Sequence, residues 1–411
     1  MTTATATSLL LIALAAVVAP LLSEALARWR IPAVLFELLL GILIGPAVLG
    51  FAQVDGFIDG LSTLGLAFLF FVAGYELDLD RIKGEPFNRA AAGWGITVVL
   101  GLGTAAVLVA TGFVKSELLI GLALTTTAIG TLLPMLHDRG LTGTRFGDLL
   151  VSAGAVGEFG PVLAVTIFLG ASSPTVEGLL LIVFVALALG VAWLARRPRP
   201  PRYVEVMTRH LESSSQLPVR IVVLLTTAMV VVAVVLGLDM LLGAFAAGLI
   251  GQILFPPAQS KVLGAKIQSI GFGFLIPFFF VVSGMKFDLA SLTSSWTVAA
   301  RVPVFLGLFL LVRGLPALFV YRRTLSARPR VALAVLQCTA LPLLVVITQI
   351  GLETGEMRPS NAAALVGAGM LSVLVLPLAG FAVLGDHADD GPDGAPGDLP
   401  GGTADASSPA A

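Results

Sequence analysis

FFVAGYELDL, residues 70–79, returns 210 positions later inside FFVVSGMKFDL, residues 279–289. The shift pairs Phe70 with Phe280, Val72 with Val282, Gly74 with Gly284, Asp78 with Asp288 and Leu79 with Leu289. Apolar segments share Phe and Val by composition alone. Matched glycines and aspartates have no such explanation, so we read an internal duplication. LLGILIG at 39–45 similarly echoes LLGAFAAG at 241–248.

Each copy closes an apolar stretch long enough for the hydrocarbon core of a bilayer, which takes roughly 20 helical residues. Such stretches recur along the chain: of 411 residues, 57% are hydrophobic and 12% charged, more apolar surface than a soluble domain buries. The spacing predicts thirteen spans, near residues 7–29, 31–50, 57–78, 90–112, 116–137, 147–170, 176–195, 218–237, 239–255, 263–285, 297–321, 330–351 and 359–384. The expected class is therefore an all-α polytopic membrane protein. Seven spans separate the third from the tenth, and an odd number reverses the crossing direction, so the two copies are inverted. Inverted repeats with a midplane site between them characterise secondary transporters. The expected organisation is a first repeat with the N-terminal helix at 1–171, linker helices and a basic loop at 172–238, a second repeat at 239–385 and a disordered tail at 386–411, rich in Gly, Pro and Asp.

Cationic side chains sort the loops. Nineteen of the 24 Lys and Arg fall in odd-numbered loops, among them Arg28, Arg30, Arg139, the six arginines of 196–220, and Arg322 to Arg330; the even loops hold only Lys115, Lys286 and Arg358. The positive-inside rule makes the odd loops cytoplasmic. The N-terminus is then outside, the C-terminus inside, and the host the cytoplasmic (inner) membrane. Met1 to Ser8 carries no Lys or Arg, so a cleaved signal peptide is not expected.

A net charge of −1 excludes a typical nucleic-acid binder. The single cysteine, Cys338, is read as helix packing, and His137, His210 and His387 are too scattered for a metal site. No phosphate-binding loop or nucleophile elbow is present. Neither an enzyme nor a cofactor is expected.

Charges inside spans are costly and therefore candidates for function. Glu158 lies at the centre of AGAVGEFGPVLAV (153–165), and Arg313 near the middle of LFLLVRGLPAL (308–318). A carboxyl out of water is costly to ionise, so a proton and a cation can compete for Glu158. The alternative is a static ion pair of Glu158 with Arg313. Two further segments read as broken helices: LALTTTAIGTLLPML (122–136), with Thr125, Thr126, Thr127 and Gly130 before Pro134, and its inverted mate VLQCTALPLLVV (335–346), with Gln337 and Thr339 before Pro342. Unwound backbone at that depth must face protein or water, and it can coordinate an ion. A plain proline kink with threonines bonded back onto carbonyls is the competing reading. Glu37, in the second span, either lines a water path or bonds a neighbouring helix. Glu76, Asp78 and Asp80 read as a solvated helix end.

These phrases resemble the monovalent cation:proton antiporter-2 family of the sodium/proton exchanger superfamily. The resemblance rests on ELLLGILIGPAVLG (37–50), FLFFVAGYELDLD (68–80), ALTTTAIG (123–130), IPFFFVVSGMKFDL (276–289) and Arg313. It implies a homodimer of thirteen-helix subunits in the sodium/proton antiporter fold. A core domain built on two crossing broken helices would slide against a scaffold domain, an elevator motion that exchanges Na⁺ or K⁺ for H⁺. Thr126 and Thr127 would sit at the first break, Glu158 would bind proton and cation, and Arg313 would balance charge. Members usually carry two adjacent polar residues where this chain has Gly157 and Glu158. One titratable acid implies one proton per cation and electroneutral exchange. The rival readings are a gated potassium efflux pathway and a transport-inactive membrane sensor; sodium-coupled organic-anion symport fits the apolar sixth span less well.

Overall fold

Ser, Asp and Pro residues start the helices. Asp55 accepts from the N–H groups of Phe57 and Ile58, Ser116 from Leu119 and Asp239 from Leu241, satisfying donors that a helix N-terminus leaves free. Gly237 turns the chain between two spans with φ 77, a conformation that favours glycine. In this computed structural model the described residues are 2–26, 31–77, 83–169, 174–197, 209, 213, 215–255 and 257–385. Arg28, Arg30, Asp78, Leu79, Asp80, Arg81, His210, His387, most of the basic loop and the expected tail at 386–411 lie outside them.

The helices are α1 (Thr3–Ala25), α2 (Ala33–Ile44), α3 (Gly56–Glu76), α4 (Glu85–Ala110), α5a (Glu117–Leu124) and α5b (Ile129–Asp138), α6 (Arg145–Leu169), α7 (Pro174–Ala195), α8 (Leu217–Val235), α9 (Met240–Leu254), α10 (257–285), α11 (Trp296–Val320), α12a (Ala327–Leu336) and α12b (Pro342–Glu353), and α13 (Pro359–Leu384). Among the described residues nine are long and apolar enough to cross a bilayer; α2, α9 and the two broken elements are shorter. A helix occupies each of the thirteen positions read from the sequence. Two π-helical turns were not foreseen, at Gly271–Leu275 in α10 and at Leu310–Gly314 in α11. Each precedes a proline, Pro277 or Pro316, whose missing N–H disturbs the regular ladder.

The duplication is visible as one contact made twice. A Cβ on Gly41 of α2 would stand 2.1 Å from the Val281 carbonyl oxygen of α10, and one on Gly284 2.2 Å from that of Leu38. In the other half a Cβ on Gly248 of α9 would stand 2.1 Å from the Phe71 oxygen of α3, and one on Gly74 2.4 Å from that of Phe245. Leu38 and Gly41 thus answer to Phe245 and Gly248, as Phe71 and Gly74 answer to Val281 and Gly284. Backbones this close require glycine, and close approach is how helices associate where lipid removes the hydrophobic drive. The register sets Gly41 against Gly248, not against Gly243 of the shared LLG phrase; Gly243 instead meets the Met229 oxygen on α8.

Packing divides the molecule into two bundles. One contains α1, α2, α3, α8, α9 and α10; the other contains α4, α5, α6, α11, α12 and α13; α7 leans on α9 and α6. Between the bundles packing is sparse, chiefly α3 on α5b, α9 on α6 and α2 on α13. Cavities follow this seam. One of about 520 Å³ opens beside Glu24 and Arg139 and reaches Gly130 and Thr131. Another, of about 350 Å³, opens at the opposite end between Asp59, Lys286 and Asp288 on one bundle and Gln349 and Ala363 on the other. The Lys286 ammonium donates to Asp59 at its rim.

Candidate ion-binding site

Two interrupted helices cross inside the second bundle. α5a stops at Leu124 and α5b begins at Ile129; α12a stops at Leu336 and α12b begins at Pro342. The four unwound residues of the first break and the five of the second find partners in one another, in α6 and in α13. The Ala128 N–H donates to the Thr339 oxygen at 2.7 Å, the Thr127 N–H to the Gly157 oxygen at 3.0 Å, and the Ala340 N–H to the Ser372 hydroxyl at 3.0 Å. Buried backbone without such partners would be prohibitive in a bilayer. The crossing also sets the electrostatics. The N-termini of α5b and α12b, which carry partial positive charge, and the C-termini of α5a and α12a, which carry partial negative charge, meet here.

Glu158, 2% exposed on α6, points its carboxylate at the start of α5b. Its Oε2 accepts from the Ile129 N–H at 3.1 Å. Gly130, one residue on, lines the cavity that opens beside Glu24 and Arg139, so the acid is separated from that cavity by the first turn of one half-helix. It faces protein, not lipid.

Arg313, also 2% exposed, sits on the π turn of α11. Its Nε donates to the Thr127 hydroxyl at 3.0 Å and its Nη2 to the Ala153 oxygen at 2.6 Å. The static pair weighed from the sequence is not formed: no salt bridge joins Arg313 to Glu158 among the described residues, because the guanidinium is drawn onto these two oxygens. It occupies instead the space next to Gly157. A Cβ at 157 would lie 2.3 Å from Nη2 and 2.6 Å from the Thr127 hydroxyl. Gly157 is helical, so here glycine supplies room and not conformational freedom.

The remaining expected residues divide. Thr127 is the threonine that crosses: its hydroxyl donates to the Gln337 oxygen at 2.6 Å while accepting from Arg313. Thr125, Thr126 and Thr131 bond back onto Leu122, Ala123 and Ala128, as the competing kink reading has it. Gln337 donates to the Arg313 oxygen at 2.6 Å. Thr339 offers its carbonyl to Ala128, and its buried hydroxyl has no hydrogen-bond partner among the described residues. Cys338 is packed in the second break, with its thiol toward the Ala334 oxygen. Glu37 is not at the crossing. It lies on α2 in the other bundle, 6% exposed, with Oε2 lacking a hydrogen-bond partner among the described residues.

Sequence reasoning missed Ser372, which clasps the second break from α13, and Phe159. The Phe159 ring stacks on Phe245 of α9 and meets Phe70 of α3 edge-on. It ties the residue after Glu158 to the opposite bundle. Ser372 stood out only as a hydroxyl in an apolar run; Phe159 had no signal in a chain with 24 phenylalanines.

The transmembrane sodium/hydrogen exchanger model matches residues 12–384. The chain belongs to that family. Among other sodium/hydrogen exchanger relatives, YjbQ of Bacillus subtilis, which carries a sodium/proton antiporter name, is 25% identical over 388 residues, covering 90% of this chain and 62% of YjbQ. The Na(+)/H(+)-K(+) antiporter GerN of Bacillus cereus is 26% identical over 269 residues, covering 62% of this chain and 65% of GerN. The chain thus spans less than two thirds of either relative. The solved sodium proton antiporter MjNhaP1 of Methanocaldococcus jannaschii superposes with a TM-score of 0.63 at 17% identity, covering 91% of this chain and 95% of that one. The exchanger fold, with inverted repeats and crossing broken helices, is therefore shared.

Proposed function

We propose that the chain is a secondary antiporter that exchanges a monovalent cation, Na⁺ or K⁺, for protons, with Glu158 binding proton and cation in turn. The family and the antiporter names of its relatives support cation/proton exchange. The observation that carries the residue assignment is the Glu158 carboxylate at the crossing, on the N-terminus of α5b and one turn from a cavity. The unpartnered Thr339 hydroxyl is an available oxygen for a cation's shell. Thr127, which donates to the Gln337 oxygen and accepts from Arg313, positions the guanidinium and keeps one lone pair for the cation's shell.

The charge count supports electroneutral exchange. A guanidinium keeps its proton, so the crossing carries one net positive charge with Glu158 protonated and the same charge with Glu158 ionised beside a monovalent cation. The sparse, cavity-lined seam supports a sliding bundle of α4–α6 and α11–α13 as the elevator. The charge asymmetry of the loops supports a cytoplasmic end at Glu24 and Arg139 in the inner membrane, with the N-terminus outside. The other bundle would supply a homodimer contact.

Reconstituted protein tests the proposal. Na⁺, K⁺ or Li⁺ added to proteoliposomes preloaded with acid should dequench a pH-sensitive dye in wild type and leave Glu158→Gln silent. A Glu158→Gln protein that still moves protons on cation addition would remove Glu158 from the mechanism.

A further inference from the structure

We infer that the groove between α7 and α9 is a binding site for one acyl chain of an anionic phospholipid whose headgroup rests on Arg196. The groove holds about 490 Å³, and among the described residues Arg196 is the one charged residue lining it. Leu181, Phe184, Ala188 and Ala192 form the α7 wall, Ala246 and Ile250 the α9 wall. The stacked rings of Phe159 and Phe245 lie between them.

Dimensions and charge select the occupant. Leu181 to Arg196 is fifteen residues of chain, about 22 Å at about 1.5 Å per residue. Half of a hydrocarbon core about 30 Å thick is about 15 Å, so a chain entering from the Arg196 end reaches the midplane without leaving the groove. Trp193 is 62% exposed, and the Arg197 guanidinium lies 4.0 Å over its ring. Trp and Arg together at a helix end mark the headgroup level. Among the described residues no carboxylate pairs with Arg196, so the mouth is cationic and accepts an anion. An extended polypeptide entering the groove would bring N–H and C=O groups that its apolar walls cannot satisfy. An acyl chain brings none, its ester carbonyls stay with the headgroup at the mouth, and the phosphate meets the single charge.

The seat lies on the seam between the bundles, against the ring that follows Glu158. Lipid in the groove therefore touches both halves of the molecule.

Native mass spectrometry of the detergent-purified full chain, offered phosphatidylglycerol or phosphatidylcholine with the same acyl chains, tests this. Wild type should retain phosphatidylglycerol over phosphatidylcholine by about fivefold, the weight of one cation near an anionic headgroup. Arg196→Gln should erase that preference. Ala188→Trp, which fills the groove, should lose retention of both lipids, while Ala186→Trp, on α7 but outside the lining, keeps it. If Ala188→Trp does not purify as a folded species, Ala246→Phe fills the groove from the other wall. Equal retention of the two lipids by wild type, or undiminished retention by the groove-filling variant, overturns the inference. So does a change of oligomeric mass in that variant with lipid retention intact, which would make the groove a contact between copies.

Discussion

Replacing Gly157 by alanine adds one methyl group in the middle of α6, where helix propensity alone would gain about 1 kcal/mol. The site reverses that sign. The new Cβ would lie 2.3 Å from the Arg313 Nη2 and 2.6 Å from the Thr127 hydroxyl. A surface guanidinium would swing aside; this one is held by the Ala153 oxygen at 2.6 Å and the Thr127 hydroxyl at 3.0 Å. Hydrogen bonds to charged groups contribute about 1.5–3 kcal/mol each, so displacement costs about 3–6 kcal/mol and the substitution a net of about 2–5 kcal/mol. A double-mutant cycle isolates the cause. Gly157→Ala should melt well below wild type and exchange cations more slowly, because the guanidinium is pushed off the crossing. In an Arg313→Ala background the same substitution should cost much less, only the approach to the Thr127 hydroxyl remaining. A Gly157→Ala protein with wild-type melting and rate, or two substitutions whose costs simply add, would refute the view that glycine makes room for the guanidinium.

Gly248→Val places its Cβ 2.1 Å from the Phe71 backbone oxygen, which cannot rotate away, so the folded yield and melting temperature should drop by the equivalent of about 1–3 kcal/mol or more. Gly95→Val, with nothing within 4 Å, is the control and should be neutral or gain a few tenths of a kcal/mol, roughly the helix-propensity difference. Phe159→Ala removes the stack on Phe245 and the edge contact with Phe70, each aromatic pair contributing about 0.5–1.5 kcal/mol; proteoliposome rates should change while the cation dependence does not. Asp55, in the loop before α3, is held below the usual carboxylate range by the Thr5 hydroxyl and then by the N–H groups of the helix start. Its contribution is complete above the unfolded value, about 3.9, and is lost as pH falls through the lower folded one, so acid melting curves of wild type and Thr5→Ala should differ at neutral pH and converge in strong acid.

The span positions were legible because the bilayer demands long apolar runs, and the run around Glu158 was legible because a charge there is costly. The breaks showed in Pro134, Pro342 and their threonines. What sequence could not supply was direction. Thr125, Thr126 and Thr127 are chemically alike, and only the angle at which the two helices cross turns Thr127 outward while the others bond back. The fit of Arg313 against Gly157 joins helices 156 residues apart, and no local pattern records it. The LLG phrases misled the register of α2 against α9, because a composition-driven match need not coincide with the close approach of Gly41 to the Val281 oxygen.

The proton and the cation are held to share one carboxylate, and their competition is the most direct test. Initial rates should be measured in proteoliposomes across cation concentration and pH, with wild type beside Glu158→Asp, whose shorter side chain retreats from the Ile129 N–H. The account predicts an apparent KM for the cation that climbs up to about tenfold per unit of acidification, at unchanged maximal rate and independent of a clamped membrane potential. A KM indifferent to pH, or a rate that follows the potential, would contradict it.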